Sequence, residues 1–158
     1  MRSAFITGLA GLSLSGEEAA FLARTQPAGL ILFARNCDTP DQIRALIAEA
    51  RDAIGADDVL VLIDQEGGRV QRLRPPHWRA LPPAANYAAL ALRDAERAAH
   101  AARLAAQLTA QDLLALGINT NCAPVLDVPV PGSHDIIGDR AYGKTPGDII
   151  RLCCAVAE

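Results

Sequence analysis

The chain has 158 residues, a size at which a domain buries roughly two thirds of its unfolded surface, so a real core is within reach. About half the residues are hydrophobic, a large share of them Ala, and the net charge is −3 with the two signs interspersed. No apolar run approaches the ~18 residues that span a bilayer, and no basic stripe offers to neutralise phosphates, which argues against a membrane and against nucleic acid as partners.

Short apolar runs alternate with longer amphipathic ones, the pattern of repeated βα units on a parallel sheet. The N-terminal "MRSAFITGLAGLSLSGEE" superficially suggests a signal peptide but reads better as a strand, "AFITGL" at 4–9, followed by a capped helix. Ser15 and Glu18 make a capping box that opens "GEEAAFLART". "GLILF" (29–33) is the next strand, continuously apolar as strands covered on both faces tend to be. Thr39 and Gln42 suggest a second capping box, with Pro40 at the first helical position and Gly55 ending the helix "DQIRALIAEARDAI".

"VLVLI" (59–63) is the third strand, and a long loop from 64 to about 86, carrying Pro75, Pro76, Pro82 and Pro83, follows it. A loop of that length is more often functional than idle. One long Ala-rich helix is expected over roughly 88–116, closed by Gly117, and "INTNCAPVLDV" gives a fourth strand. A second long loop, "PVPGSHDIIGDRAYG", ends at Thr145, which with Pro146 and Asp148 opens a last helix, "GDIIRLCCAVAE". That helix reaches the final residue without a closing turn, so the chain is expected to stop in mid-element. The two long loops both follow strands, and in a barrel or an open parallel sheet such loops emerge on the face where ligand sites are built. No linker divides the sequence, so residues 1–158 are expected to form one domain or part of one.

The cysteines, Cys37, Cys122, Cys153 and Cys154, show no C-x-x-C spacing and no histidine at metal-ligand intervals. Reduced, mostly buried thiols in a cytosolic protein are expected, with no metal and no cofactor. Whether Cys37 and Cys122 lie near a site is left open by the sequence.

The densest chemistry is in "LVLIDQEGGRVQRLRPP". On an extended strand Asp64 and Glu66 would share a side, about 6.6 Å apart at ~3.3 Å per residue, between the separations of retaining and inverting glycosidases. The Gly67-Gly68 turn works against that pair by letting the two side chains diverge. Glu66 is better read as a structural carboxylate tied to an arginine or to backbone amides. The glycines lack the third glycine and immediate helix of a dinucleotide fingerprint. Arg69 with Arg72, and Asp64 with Arg72, form a polar clamp suited to vicinal hydroxyls, or else Asp64 and Arg72 are an internal salt bridge that holds the loop. In the second loop, Asp127 at a strand end and Arg140 in "IIGDRAYG" are further candidates, the arginine the stronger. His134 with Asp135 is a weaker acid–base candidate, and His77 and His100 suggest no role.

Taken together, "LIDQEGGRVQRLRPP", "GLILFARN", "APVLDV" and "IGDRAYG" resemble, in order and spacing, the N-terminal part of the bacterial β-N-acetylglucosaminidases of glycoside hydrolase family 3. The resemblance implies an α/β fold, the N-terminal part of a TIM-type (β/α) barrel with about four βα units. It also implies hydrolysis of terminal β-linked N-acetylglucosamine from N-acetylglucosaminyl-anhydromuramoyl fragments during cytoplasmic cell-wall recycling, by a retaining mechanism. Carried over by motif position, Asp64, Arg72 and Arg140 would bind the non-reducing sugar, and Asp64 would not be the nucleophile. The family's "K-H-F-P-G-H-G" motif, its catalytic His-Asp pair and its Asp nucleophile lie downstream of the matched region, and no "KHFPGHG" occurs here. No catalytic residue is therefore expected in this chain, which is expected to be inactive alone and to expose a sheet edge, since closure needs eight strands. Two other readings compete. A short protein that binds amino sugars without cleaving them differs in whether the reading frame continues into a "KHFPGHG"-like stretch. An open doubly wound phosphate or nucleotide binder differs in which ligand it takes.

Overall fold

In a computed structural model, which describes residues 2–130, 132 and 135–158, the elements run β1 (Ser3–Gly8), α1 (Gly16–Thr25), β2 (Pro27–Leu32), α2 (Pro40–Ile54), β3 (Leu60–Ile63), β4 (Gln65–Gly67), β5 (Val70–Gln71), α3 (Ala84–Ala91), α4 (Ala95–Leu114), β6 (Thr120–Asn121) and α5 (Pro146–Ala157). Four strands form one sheet in the order β1-β2-β3-β6, with every pairing parallel, as the alternating βα pattern predicts. The sheet is open at β1 and at β6. Phe5 and Ile6 of the edge strand β1 are also 36% and 44% exposed, so its side chains are only partly covered. The chain divides into two compact units, Met1–Asp64 with Arg72–Trp78 and Asp112–Asn121, and Gln65–Gln71 with Arg79–Gln111 and Cys122–Glu158.

The first unit holds the sheet and the larger core. Leu30, Leu32, Val61 and Ile63 are fully buried, and α2 adds Ile43, Leu46, Ile47, Ala50 and Ile54 at helical spacing. Each large aliphatic side chain so buried contributes about 1.5–3 kcal/mol. The Ser15–Glu18 capping box forms, and Glu18 also accepts the Ala10 amide at 2.8 Å, a bond that leads in holding its carboxyl below the usual carboxylate range. The second expected box is only half made. Thr39 accepts the Gln42 amide, but the Gln42 side chain accepts from Asp38 N and donates to the carbonyls of Leu12 and Asn36. A primary amide carries both donor and acceptor, so it bridges two loops where a carboxylate would have closed the box.

The fourth strand is much shorter than the expected 118–128 run, only Thr120–Asn121. Two features cut it short. The Asn119 amide donates to Val61 O, but its side chain makes the other bonds to β3 and the residue before it, Oδ1 accepting from Val61 N and Nδ2 donating to Val59 O, and Pro124 has no N–H to offer. The expected single helix over 88–116 is two, α3 and α4. Asp94 is the cause, for its Oδ1 accepts from Arg97 N at 3.0 Å and its carbonyl from Ala98 N, so it caps a new helix. The second unit's core is built of small residues and two tyrosines: Ala84, Ala98, Ala102, Tyr87 and Tyr142, with Ile149, Leu152 and Cys153 from α5. The tyrosine rings stack at 6.3 Å. Among the described residues no helix is long and apolar enough to cross a membrane.

Candidate substrate-binding site

The strand β3, anchored by the fully buried Val61 and Ile63, delivers Asp64 at its C-terminal end, where the apolar run stops. In the first unit Asp64 Oδ2 accepts from Arg72 Nη2 at 2.7 Å, with both side chains about one quarter exposed. Partial burial shields the pair from solvent more than a fully exposed one, while leaving one side of it open. Cys37 belongs to the same neighbourhood. Burial pushes its thiol up to about 11 against the pull of the Arg72 charge, and Sγ donates to Phe33 O at 3.4 Å. No pattern in the sequence marks Cys37 as a neighbour of Arg72, because the approach is made only by the fold.

The expected long loop after β3 contains the β4–β5 hairpin of the second unit, in which Gln65 faces Gln71 and Gly67 faces Val70. Its glycines have two reasons to be there. Gly67 and Gly68 adopt φ of +100° and +58°, and a Cβ at Gly67 would lie 2.5 Å from Pro82 O, one at Gly68 2.7 Å from Pro83 Cβ. The Gly68 amide donates to Leu81 O, while Gln71 spans the same stretch, accepting from Leu81 N and donating to Arg79 O. The glycines thus serve close packing under the 81–83 segment and not a phosphate cradle.

Glu66, on β4, is tied to an arginine as its sequence context suggests, and the arginine is Arg140. Nε and Nη2 of Arg140 donate to Oε2 and Oε1 at 2.8 and 2.7 Å, a fork-to-fork pair whose carboxylate side chain is 9% exposed. Arg140 sits in a three-residue 3-10 turn, Gly138–Arg140. Arg69, from the same hairpin as Glu66, donates to Asp139 at 2.8 Å and to the carbonyls of Ile136 and Ile137. The negative charge of Glu66 adds to burial, the main cause, in raising the phenol of Tyr142 above its ordinary value.

Of the three residues singled out for the sugar, Asp64 and Arg72 therefore pair with each other, and Arg140 pairs with Glu66. The two carboxylates of "DQE" take different arginines, Asp64 in the first unit and Glu66 in the second. Asp127 is exposed and stands outside both pairs. His77 is exposed, with its ring edge-on to Trp78, His100 is exposed on α4, and His134 lies outside the described residues. Thiol burial is mixed, with Cys153 buried, Cys37 and Cys122 half-buried and Cys154 exposed. Cys154 departs from the expected burial because it occupies the outward side of α5.

Residues 6–158 match the family model described as the Glycosyl hydrolase family 3 N terminal domain, and the chain belongs to that family. Two relatives named Beta-hexosaminidase are similar to it. One, from Methylococcus capsulatus, is 43% identical over 94% of this chain and 42% of its own length. The other, from Idiomarina loihiensis, is 39% identical over 95% of this chain and 44% of its own. Among solved structures, native NagZ from Neisseria gonorrhoeae superposes with a TM-score of 0.90 at 31% identity, over 98% of this chain and 45% of that one. The same enzyme in complex with N-trifluoroacetyl-D-glucosamine gives 0.90 at 30%, over 98% and 46%. The fold is thus that of the N-terminal part of the barrel-like domain, unclosed here, and the chain spans less than half the length of these relatives.

Proposed function

We propose that residues 1–158 are a single partial segment of a family 3 catalytic domain and carry the sugar-gripping part of a β-N-acetylhexosaminidase. In this reading the whole protein removes terminal β-linked N-acetylglucosamine from N-acetylglucosaminyl-anhydromuramoyl peptides, in cytoplasmic peptidoglycan recycling. Asp64, Arg72 and Arg140 hold the non-reducing sugar. The observation that carries this is the Asp64–Arg72 pair at the end of β3, one quarter exposed, in a chain 43% identical to a Beta-hexosaminidase. A carboxylate and a guanidinium held side by side accept from and donate to neighbouring hydroxyls at once, the demand a pyranose ring makes.

Such an arrangement binds and orients. The chemistry needs a nucleophilic carboxylate and an acid–base group, which we place downstream of Glu158. The whole enzyme would then form and hydrolyse a covalent glycosyl-enzyme intermediate with retention of configuration. The test is the product of the full reading frame, assayed on a chromogenic β-N-acetylglucosaminide with the anomer of the first-formed sugar read by NMR. Turnover with retention by that product, and none by residues 1–158 alone, is expected. Turnover by the 158-residue chain that disappears in Asp64→Ala would overturn the placement of the nucleophile.

A further inference from the structure

The β4–β5 hairpin and the turn Gly138–Arg140 meet through two ion pairs of opposite sense. Glu66 of the hairpin takes Arg140, and Arg69 of the hairpin takes Asp139, the residue next to Arg140. Each side offers one acid and one base. Sliding the turn by one residue brings like charges together, so the pairs admit one register only.

Arg69 does more than pair with Asp139. Its Nη2 also donates to the carbonyls of Ile136, at 2.6 Å, and Ile137, at 3.2 Å, the two residues that lead into the turn. Ile137, which precedes the turn, has no side-chain cap. The turn's own bonds are Arg140 N to Ile137 O at 2.9 Å and a long one from Ala141 N to Gly138 O at 3.4 Å, and a 3-10 turn this short gains from contacts made outside it. Gly138 leaves room for this: its φ is +45°, and a Cβ there would lie 2.9 Å from Asp135 Oδ1 and 3.5 Å from Arg69 Nη2.

We infer that Arg69 is a positioning residue for sugar binding, holding the 136–139 backbone so that the Arg140 guanidinium is fixed against Glu66 in the orientation the sugar meets. The inference rests on the reading of Arg140 as a sugar ligand. The Arg69–Asp139 pair is nearly half exposed and so adds little to stability, which separates the aiming of Arg140 from a general cross-link.

The test follows the Nε–H resonance of Arg140 in proton–nitrogen correlation spectra of the chain, beside its affinity for N-acetylglucosamine. In Arg69→Ala the Arg140 signal is expected to lose its dispersion and exchange faster with water, the melting temperature to change little, and affinity to fall about tenfold. Arg69→Lys restores the charge opposite Asp139 but not the planar fork that reaches both carbonyls, so it recovers only part of the loss. In an Arg140→Ala background, Arg69→Ala costs no further affinity. An unmoved Arg140 signal in Arg69→Ala, or an undiminished affinity loss in the Arg140→Ala background, overturns the inference. If instead Arg140→Ala leaves affinity untouched while Arg69→Ala still moves the Arg140 signal, the sugar-ligand reading fails and the positioning role stands.

Discussion

The two compact units are held by different means. In the first, large aliphatic side chains from a parallel sheet and its helices fill the core, and polar groups such as the fully buried Asn36 serve to tie loops, donating to Leu9 O and Gly11 O and accepting from Phe33 N. In the second, alanines and two stacked tyrosines share the core with Ile149 and Leu152, and ion pairs fix the β4–β5 hairpin to the Gly138–Arg140 turn. Non-directional burial specifies where a strand lies, whereas the orientation of a guanidinium needs directional contacts. The difference separates residues that build the fold from residues that position side chains.

The largest effect that sharpens this contrast is expected in the first core. Ile63→Ala, at a site with no exposure, should lower the unfolding free energy in urea by about 2–5 kcal/mol. Next comes Glu66→Ala, which strands the partly buried Arg140 and should cost about 2 kcal/mol. A loss near zero there would mean that the Glu66–Arg140 pair does not hold the second unit.

A smaller effect is expected at alkaline pH. Burial raises the thiols of Cys37 and Cys153 from their ordinary value of 9.0 to about 11 each. The unfolded state gives up these protons first, so the contribution is complete below about pH 9 and is lost as pH rises towards 11. Denaturation curves over that range should show the decline, and replacing both residues by alanine should flatten it up to about pH 10, above which the buried phenols of Tyr87 and Tyr142 add a decline of the same sign. The smallest effect belongs to Arg103→Ala, which removes an exposed pair with Glu158 and should change stability by less than about 0.5 kcal/mol.

The strands β1, β2 and β3 and the helices α1, α2 and α5 are legible in the sequence because hydrophobic runs mark the strands, N-caps open the helices, and Gly55 stops α2. The errors fall where a polar side chain competes with the backbone. Asn119 takes over strand bonds from β6, and Asp94 starts a helix inside an alanine-rich run, a cap that "RDAER" does display. The site divides in the same way. Asp64 with Arg72 is a local pair, eight residues apart across a hairpin, and is visible as a motif. Glu66 with Arg140 spans 74 residues, and Arg69 with Asp139 spans 70, so only the fold reveals which acid meets which base.

The central claim is that Asp64 and Arg72 grip a sugar. Isothermal titration of the chain with N-acetylglucosamine, in parallel with a nucleotide and repeated on Asp64→Ala, tests it most directly. Saturable binding of the sugar alone, weakened about tenfold or more in Asp64→Ala, is the predicted result. Nucleotide binding in place of sugar, or sugar affinity indifferent to Asp64→Ala, would contradict it.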